Sequence, residues 1–199
     1  MARGRPREFD AELALERAME LFWRQGYEGT SLADLTDALG ITRPSLYAAF
    51  GNKEALFRRV LERYEARAGA YRPRALSALT AYEVARRLLE GAAALHGDKS
   101  NPAGCLGVHG ALACGPESGR IREEMISHRS AGEQAIRKRL RRAKQEGDLP
   151  PDADPAALAR YLSAVLYGMA VLAAGGASLR DLREVAHTAL QGWPSSPRN

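Results

Sequence analysis

Residues 31–50 constrain this chain more than any other stretch, because two short helical patterns meet there around one glycine. Ser31 is a favoured N-cap, and the Asp34 carboxylate three residues on favours the exposed amides of a first turn. That helix runs to Leu39. Gly40 accepts the left-handed backbone needed to reverse direction, and Ile41 plugs the angle between the two helices. Thr42 caps the second helix, whose first turn holds Pro44, where the missing amide hydrogen costs nothing. Leu46 and Phe50 make its buried stripe, leaving Arg43, Ser45 and Tyr47 outward. Two short helices joined at a glycine, the second offering Arg, Ser and Tyr near its N-terminal end, form the geometry that enters a DNA major groove.

The remaining pattern is helical throughout, with no run of alternating β-branched residues, so the fold class is all-α. Helices are expected at 10–25, with Leu13, Ala14, Ala18, Leu21 and Phe22 on one stripe, and at 53–70, ended by Pro73. Others are expected at 81–95, 104–114, 118–146, 155–173 and 179–191, with a loop at 96–102. The 199 residues, 45% hydrophobic and 27% charged with mixed signs, suit a folded chain with a real core. A net charge of +5 is compatible with nucleic acid or an anionic membrane surface and selects neither. No apolar stretch approaches a bilayer span and the N-terminus lacks a signal-peptide pattern, so no membrane partner and a cytoplasmic location are expected.

The first sixty residues contain Gly26-Tyr27, Thr30-Ser31, Leu39-Gly40-Ile41-Thr42, Ser45-Leu46-Tyr47, Phe50 and Lys53-Glu54-Ala55-Leu56. Through these the chain resembles the TetR family of one-component repressors. The resemblance implies an N-terminal three-helix helix-turn-helix domain, a connecting helix, and a larger C-terminal helical domain for ligand binding and dimerisation. The corresponding division is a basic arm at 1–8, the DNA-binding domain at 9–52, the effector and dimerisation domain at 53–192, and a tail at 193–199.

By that resemblance, Arg43 and Ser45 look like base-edge or near-base contacts, and Thr30, Ser31, Thr42, Tyr47 and Lys53 like phosphate contacts. Thr30, Ser31 and Thr42 fit capping equally well, and the two roles are compatible. Pro44 departs from the commoner small or polar residue at its position. Arg3 and Arg5, in a short cationic arm before the first helix, are placed to reach a minor groove or neighbouring phosphates. The basic run Arg137-Lys138-Arg139 with Arg141, Arg142 and Lys144 reads as a solvated helix face rather than a second nucleic-acid patch.

The last two helical patterns are rich in small and apolar residues, including Leu158, Leu162, Val165, Leu166, Met169 and Val171. The resemblance makes them a homodimer interface; closing the monomer's own core is the alternative. Cys105, His109 and Cys114 invite a thiol-based redox or electrophile sensor, or a soft-metal site, against the plainer reading of buried cysteines. No metal site is assigned, since the spacing matches no closed zinc motif. On one straight helix the two sulfurs would lie about 13.5 Å apart along the axis, so a bridge would need a break at Gly107 or Gly110. Tyr82, His109, His128, Tyr161 and Tyr167 are nominated as cavity residues for an unknown small-molecule effector. No cofactor is expected. Enzymatic groupings lack their required context, a Cys105 and His109 pair being the distant alternative. The expected function is a regulator, a repressor on a pseudo-palindromic double-stranded operator, released by its effector.

Overall fold

The computed structural model describes residues 10–194, and every regular element among them is helical. In chain order these are α1 (Ala11–Gln25), α2 (Leu32–Leu39), α3 (Arg43–Phe50), α4 (Lys53–Arg67), α5 (Tyr71–Leu76), α6 (Ala81–Gly97), α7 (Leu106–His109), α8 (Gly119–Gln145), α9 (Pro155–Ala174) and α10 (Leu179–Gln191). The arm with Arg3 and Arg5 lies outside the described residues.

Asp10 caps α1, its carboxylate accepting from the amides of Glu12 and Leu13 at 3.0 and 3.1 Å. The buried face of α1 is Ala14, Leu15, Ala18, Met19, Phe22 and Trp23, one step round from the expected stripe, so Leu13 is 48% exposed. Phe22 meets the Phe57 ring edge-on at 5.1 Å and Trp23 meets Tyr64 at 4.7 Å, the electrostatically favoured aromatic arrangement. These contacts join α1 to α4, and the same core takes in Cys105, Leu106, Ile121 and Met125. The helix-turn-helix thus shares a continuous core with α7 and α8.

The expected helix at 53–70 ends sooner. α4 stops at Arg67, a tight turn at Ala68–Ala70 follows, and Pro73 sits in the first turn of α5, where its missing N–H breaks no bond. The expected helix at 104–114 shrinks to the four residues of α7, and the Gly110 carbonyl accepts instead from the amide of Tyr27 at 2.7 Å.

A second core of alanines and leucines lies among α6, α8, α9 and α10. Small side chains let these helices approach closely: a Cβ on Gly97 would come within 2.9 Å of the Leu179 Cα. Trp193 is buried in this core, so the expected tail begins after it. The basic run on α8 is not uniformly solvated, because Arg139 is buried and its Nη2 donates to the carbonyls of Ala78 and Leu79 at 2.8 and 2.9 Å. One further expectation is corrected: α9 is by length and composition apolar enough to cross a membrane, though one side of it packs in the second core.

Candidate DNA interface and effector cavity

The corner between α2 and α3 is built by local rules. The Ser31 hydroxyl accepts from the Asp34 amide at 3.1 Å and the Asp34 carboxylate accepts from the Ser31 amide at 2.7 Å, a reciprocal cap. Gly40 ends α2 at φ 68°, ψ 34°, in the left-handed region, and nothing lies within 4 Å of where its Cβ would be. Backbone conformation, not crowding, calls for glycine there. Thr42 caps α3, its hydroxyl 3.4 Å from the Ser45 amide and 3.0 Å from the Ser45 hydroxyl.

Leu46 and Phe50 are buried, and Arg59 of α4 holds the end of α3 by donating to the Ala49 carbonyl at 3.3 Å. Thr42, Arg43, Ser45 and Tyr47 therefore stand on one exposed face, Tyr47 at 45% exposure. Ser31 is also exposed, at the N-terminus of α2. Lys53, half-buried at the start of α4, sits 4.2 Å over the Tyr27 ring. Burial lowers its pKa, opposed by Glu28, Cys114 and Asp34. Thr30 does not join this face. It is fully buried and its hydroxyl donates to the Gly26 carbonyl at 2.7 Å, so packing has taken the group that would have met a phosphate.

Between α4, α5, α6, α7, α8 and α9 lies a cavity of about 300 Å³. Its polar wall carries Glu65, Arg72, Cys105, His128, Ser163 and Tyr167, and the rest is largely apolar, including Leu76, Leu88 and Ile136. Arg72 Nη1 donates to both Glu65 oxygens at 2.9 and 2.7 Å, and His128 Nε2 is 3.3 Å from Glu65 Oε1. Burial works against the Glu65 charge, but the His128 and Arg72 contacts outweigh it and hold the carboxyl below its ordinary range. The Tyr64 hydroxyl donates to Cys105 Sγ at 3.1 Å, with Arg72 Nη2 at 4.0 Å. His96 is driven down to about 4 by burial, which keeps its ring neutral with Nδ1 on the Gly104 carbonyl at 3.0 Å.

Of the nominated cavity residues, Cys105, His128 and Tyr167 line this space. Tyr82 and Tyr161 do not: each is 44% exposed, and the Tyr161 hydroxyl donates to the Ala189 carbonyl at 3.3 Å. His109 is not among the lining residues, and its ring lies against Gly104. Cys114 is half-buried on the side facing Lys53 and Glu28, and both cysteines are free thiols. The sulfur of Cys105 thus faces Tyr64 and Arg72 rather than His109. Among the described residues, no three His, Cys, Asp or Glu side chains gather as a metal site would require. Glu65, Arg72 and Ser163 went unrecognised in the sequence, where no spacing distinguishes them from ordinary helix residues.

The segment that walls the cavity also touches the helix-turn-helix. Besides the bond from Tyr27 to Gly110, Glu28 accepts from the Gly115 amide at 3.2 Å and from the Ser118 hydroxyl at 2.5 Å. Arg58 of α4 pairs with Glu124 of α8 at 2.7 Å.

The family model of bacterial regulatory proteins, tetR family, matches residues 14–60, and that of the tetracyclin repressor-like C-terminal domain matches 81–190. The HTH-type transcriptional repressor ComR of Escherichia coli (strain K12) is 40% identical over 201 residues, covering 97% of this chain and 93% of that protein. The uncharacterized HTH-type transcriptional regulator YezE of Bacillus subtilis (strain 168) is 37% identical over 163 residues, covering 80% of this chain and 84% of that one. A cysteine mutant of the TetR family regulator CifR, complexed with 26-base-pair double-strand operator DNA, is 43% identical with a TM-score of 0.90, covering 96% of this chain and 100% of that one.

Proposed function

The chain belongs to the TetR family of bacterial transcriptional regulators, and from that premise we propose that it is a cytoplasmic homodimeric repressor whose operator affinity is set by a small molecule in the cavity. It is a helix-turn-helix regulator and not an enzyme. The observation that carries the proposal is the exposed row Thr42, Arg43, Ser45 and Tyr47, fixed on α3 by buried Leu46 and Phe50. Arg43 and Ser45 reach base edges, while Tyr47, Thr42, Ser31 and Lys53 fix the register on phosphates.

Dimerisation supplies the second reading head. The outward face of α9 presents Tyr161, Ala164, Gly168 and Leu172 at one-turn spacing, apolar and small enough for a second copy to pack closely. The outer face of α10 is charged, with Arg180, Arg183, Glu184 and His187 exposed, so α9 carries more of this interface than the sequence suggested.

Regulation runs through residues 104–118. They wall the cavity at Cys105, Gly107 and Val108 and bond to the helix-turn-helix at Tyr27 and Glu28, so an occupant that moves them re-aims α3. A second reading, a thiol sensor, is favoured by Cys105, whose sulfur stands in the cavity wall beside the Tyr64 hydroxyl and Arg72. An uncharged α,β-unsaturated carbonyl entering there would gain a bond from sulfur to its β-carbon, and the thiol proton would end on the α-carbon. Binding of DNA flanking the chain's own gene, followed by anisotropy with and without such an electrophile, tests both: Cys105→Ser abolishes release under the second reading and spares it under the first.

A further inference from the structure

We infer that the cavity takes a small uncharged molecule bearing a hydroxyl group, held between the Ser163 hydroxyl and Nδ1 of His128; this rests on the cavity being the effector site. The argument is an inventory of the polar wall. The Glu65 carboxylate is occupied by Arg72 and His128 Nε2. His96 Nδ1 is bonded to the Gly104 carbonyl, and the Tyr167 hydroxyl donates to the Arg129 carbonyl at 3.2 Å. Arg129 Nη1 is turned to the carbonyls of Gly107 and Val108 at 3.5 and 3.3 Å. Two buried side-chain atoms of the wall remain unpartnered, Ser163 Oγ and His128 Nδ1, and Ser163 is only 3% exposed.

A buried serine on a helix ordinarily bonds back to a carbonyl one turn earlier; the Ser163 hydroxyl does not. Buried polar groups are nearly always satisfied, so two orphans in one cavity wall are the mark of a partner that comes from outside the chain. Glu65 Oε1 faces His128 Nε2 at 3.3 Å, so Nδ1 is the ring nitrogen left for a further partner. A ligand hydroxyl is donor and acceptor at once, so it can make one hydrogen bond with Nδ1 and a second with Ser163 Oγ.

Charge excludes the obvious alternatives. Arg72 is already engaged by Glu65 and Arg129 is turned to the Gly107 and Val108 carbonyls, so an ionic ligand would give up its hydration in a largely apolar space without a free counter-charge. The rest of the ligand is hydrocarbon, since Leu76, Leu88, Val108, Ile136 and Leu166 surround it, and it is small, because about 300 Å³ is the low end of ligand cavities. Ala131, Gly132 and Ala135 both line the cavity and are exposed, which puts its mouth on α8.

The test uses the full chain with benzyl alcohol, toluene, benzoate and benzylamine at equal concentrations, read by ligand-observed NMR and thermal unfolding, with operator release read separately by anisotropy. Benzyl alcohol is expected to bind about tenfold more tightly than toluene, and the two ions more weakly than either. Ser163→Ala is expected to raise the Tm of the ligand-free protein, because it removes an unpartnered hydroxyl, and to erase the preference for the alcohol. Equal binding of toluene and benzyl alcohol, tighter binding of either ion, no binding of any of the four, or a Ser163→Ala variant that keeps the preference would overturn the ligand class. Selective binding of benzyl alcohol without any effect on operator affinity would leave the ligand class standing and contradict the cavity's role as effector site.

Discussion

The backbone amide of Tyr27, just past the end of α1, donates to the carbonyl of Gly110 across 2.7 Å, tying the DNA-reading half of the molecule to the segment that closes the cavity. Glu28 repeats the tie from the next residue, to Gly115 and Ser118. Glu28→Ala removes the acceptor for both. Amide hydrogen exchange at Gly115 and Tyr27 is expected to quicken about tenfold, the equivalent of one lost hydrogen bond, while α3 amides keep their rates. Unchanged exchange at both positions would mean that the tie bears no load.

Thr30 belongs to the scaffold. Thr30→Val keeps the shape and strands the Gly26 carbonyl, which the hydroxyl now satisfies at 2.7 Å. Chemical denaturation is expected to show a loss of about 1–2 kcal/mol, with operator affinity per folded molecule unchanged. A stable variant with weakened DNA binding would return Thr30 to the interface.

Gly40→Ala introduces no clash, yet forces a Cβ into left-handed backbone at φ 68°. The expected cost is about 1–2 kcal/mol of stability. Gly40→Asn is expected to cost less, since asparagine tolerates this region; equal losses for both would point to a cause other than conformation.

His96 gives the protein a pH dependence. Its folded pKa is about 4 against an ordinary 6.5, because burial disfavours the charged ring. Between those values the unfolded chain binds a proton that the folded one refuses, so stability is full above about 6.5 and declines as pH falls toward 4. The decline attributable to this ring is on the order of 3 kcal/mol. His96→Asn should flatten that part of the curve; a variant with the wild-type slope would assign it elsewhere.

Much of the exposed face of α3 was legible in sequence because local chemistry builds it. Ser31, Gly40 and Thr42 each act within a few residues of themselves, and Leu46 and Phe50 fix which side of α3 points out. Thr30 was misplaced because its burial depends on how Tyr27 and α1 pack, which no local pattern records. The cavity was legible only where residue type drew attention, at Cys105, His128 and Tyr167. Glu65, Arg72 and Ser163 come together from α4, α5 and α9, and their meeting is a product of helix packing alone. The helix expected at 104–114 failed for the same reason: its glycines allowed a helix or a turn, and Tyr27 decided between them by claiming the Gly110 carbonyl.

The most direct test is fluorescence anisotropy of the full chain on DNA flanking its own gene and on fragments selected from the genome, against random competitor, with Arg43→Ala and Tyr47→Ala alongside. Both side chains are exposed and outside the core, so each variant should unfold within about 0.5 kcal/mol of the wild type. The account predicts salt-dependent binding that resists competitor and weakens about tenfold or more in each variant. Failure to distinguish any of these DNAs from random sequence, or variants that bind as the wild type does, would contradict the reading of α3 as the element that recognises the operator.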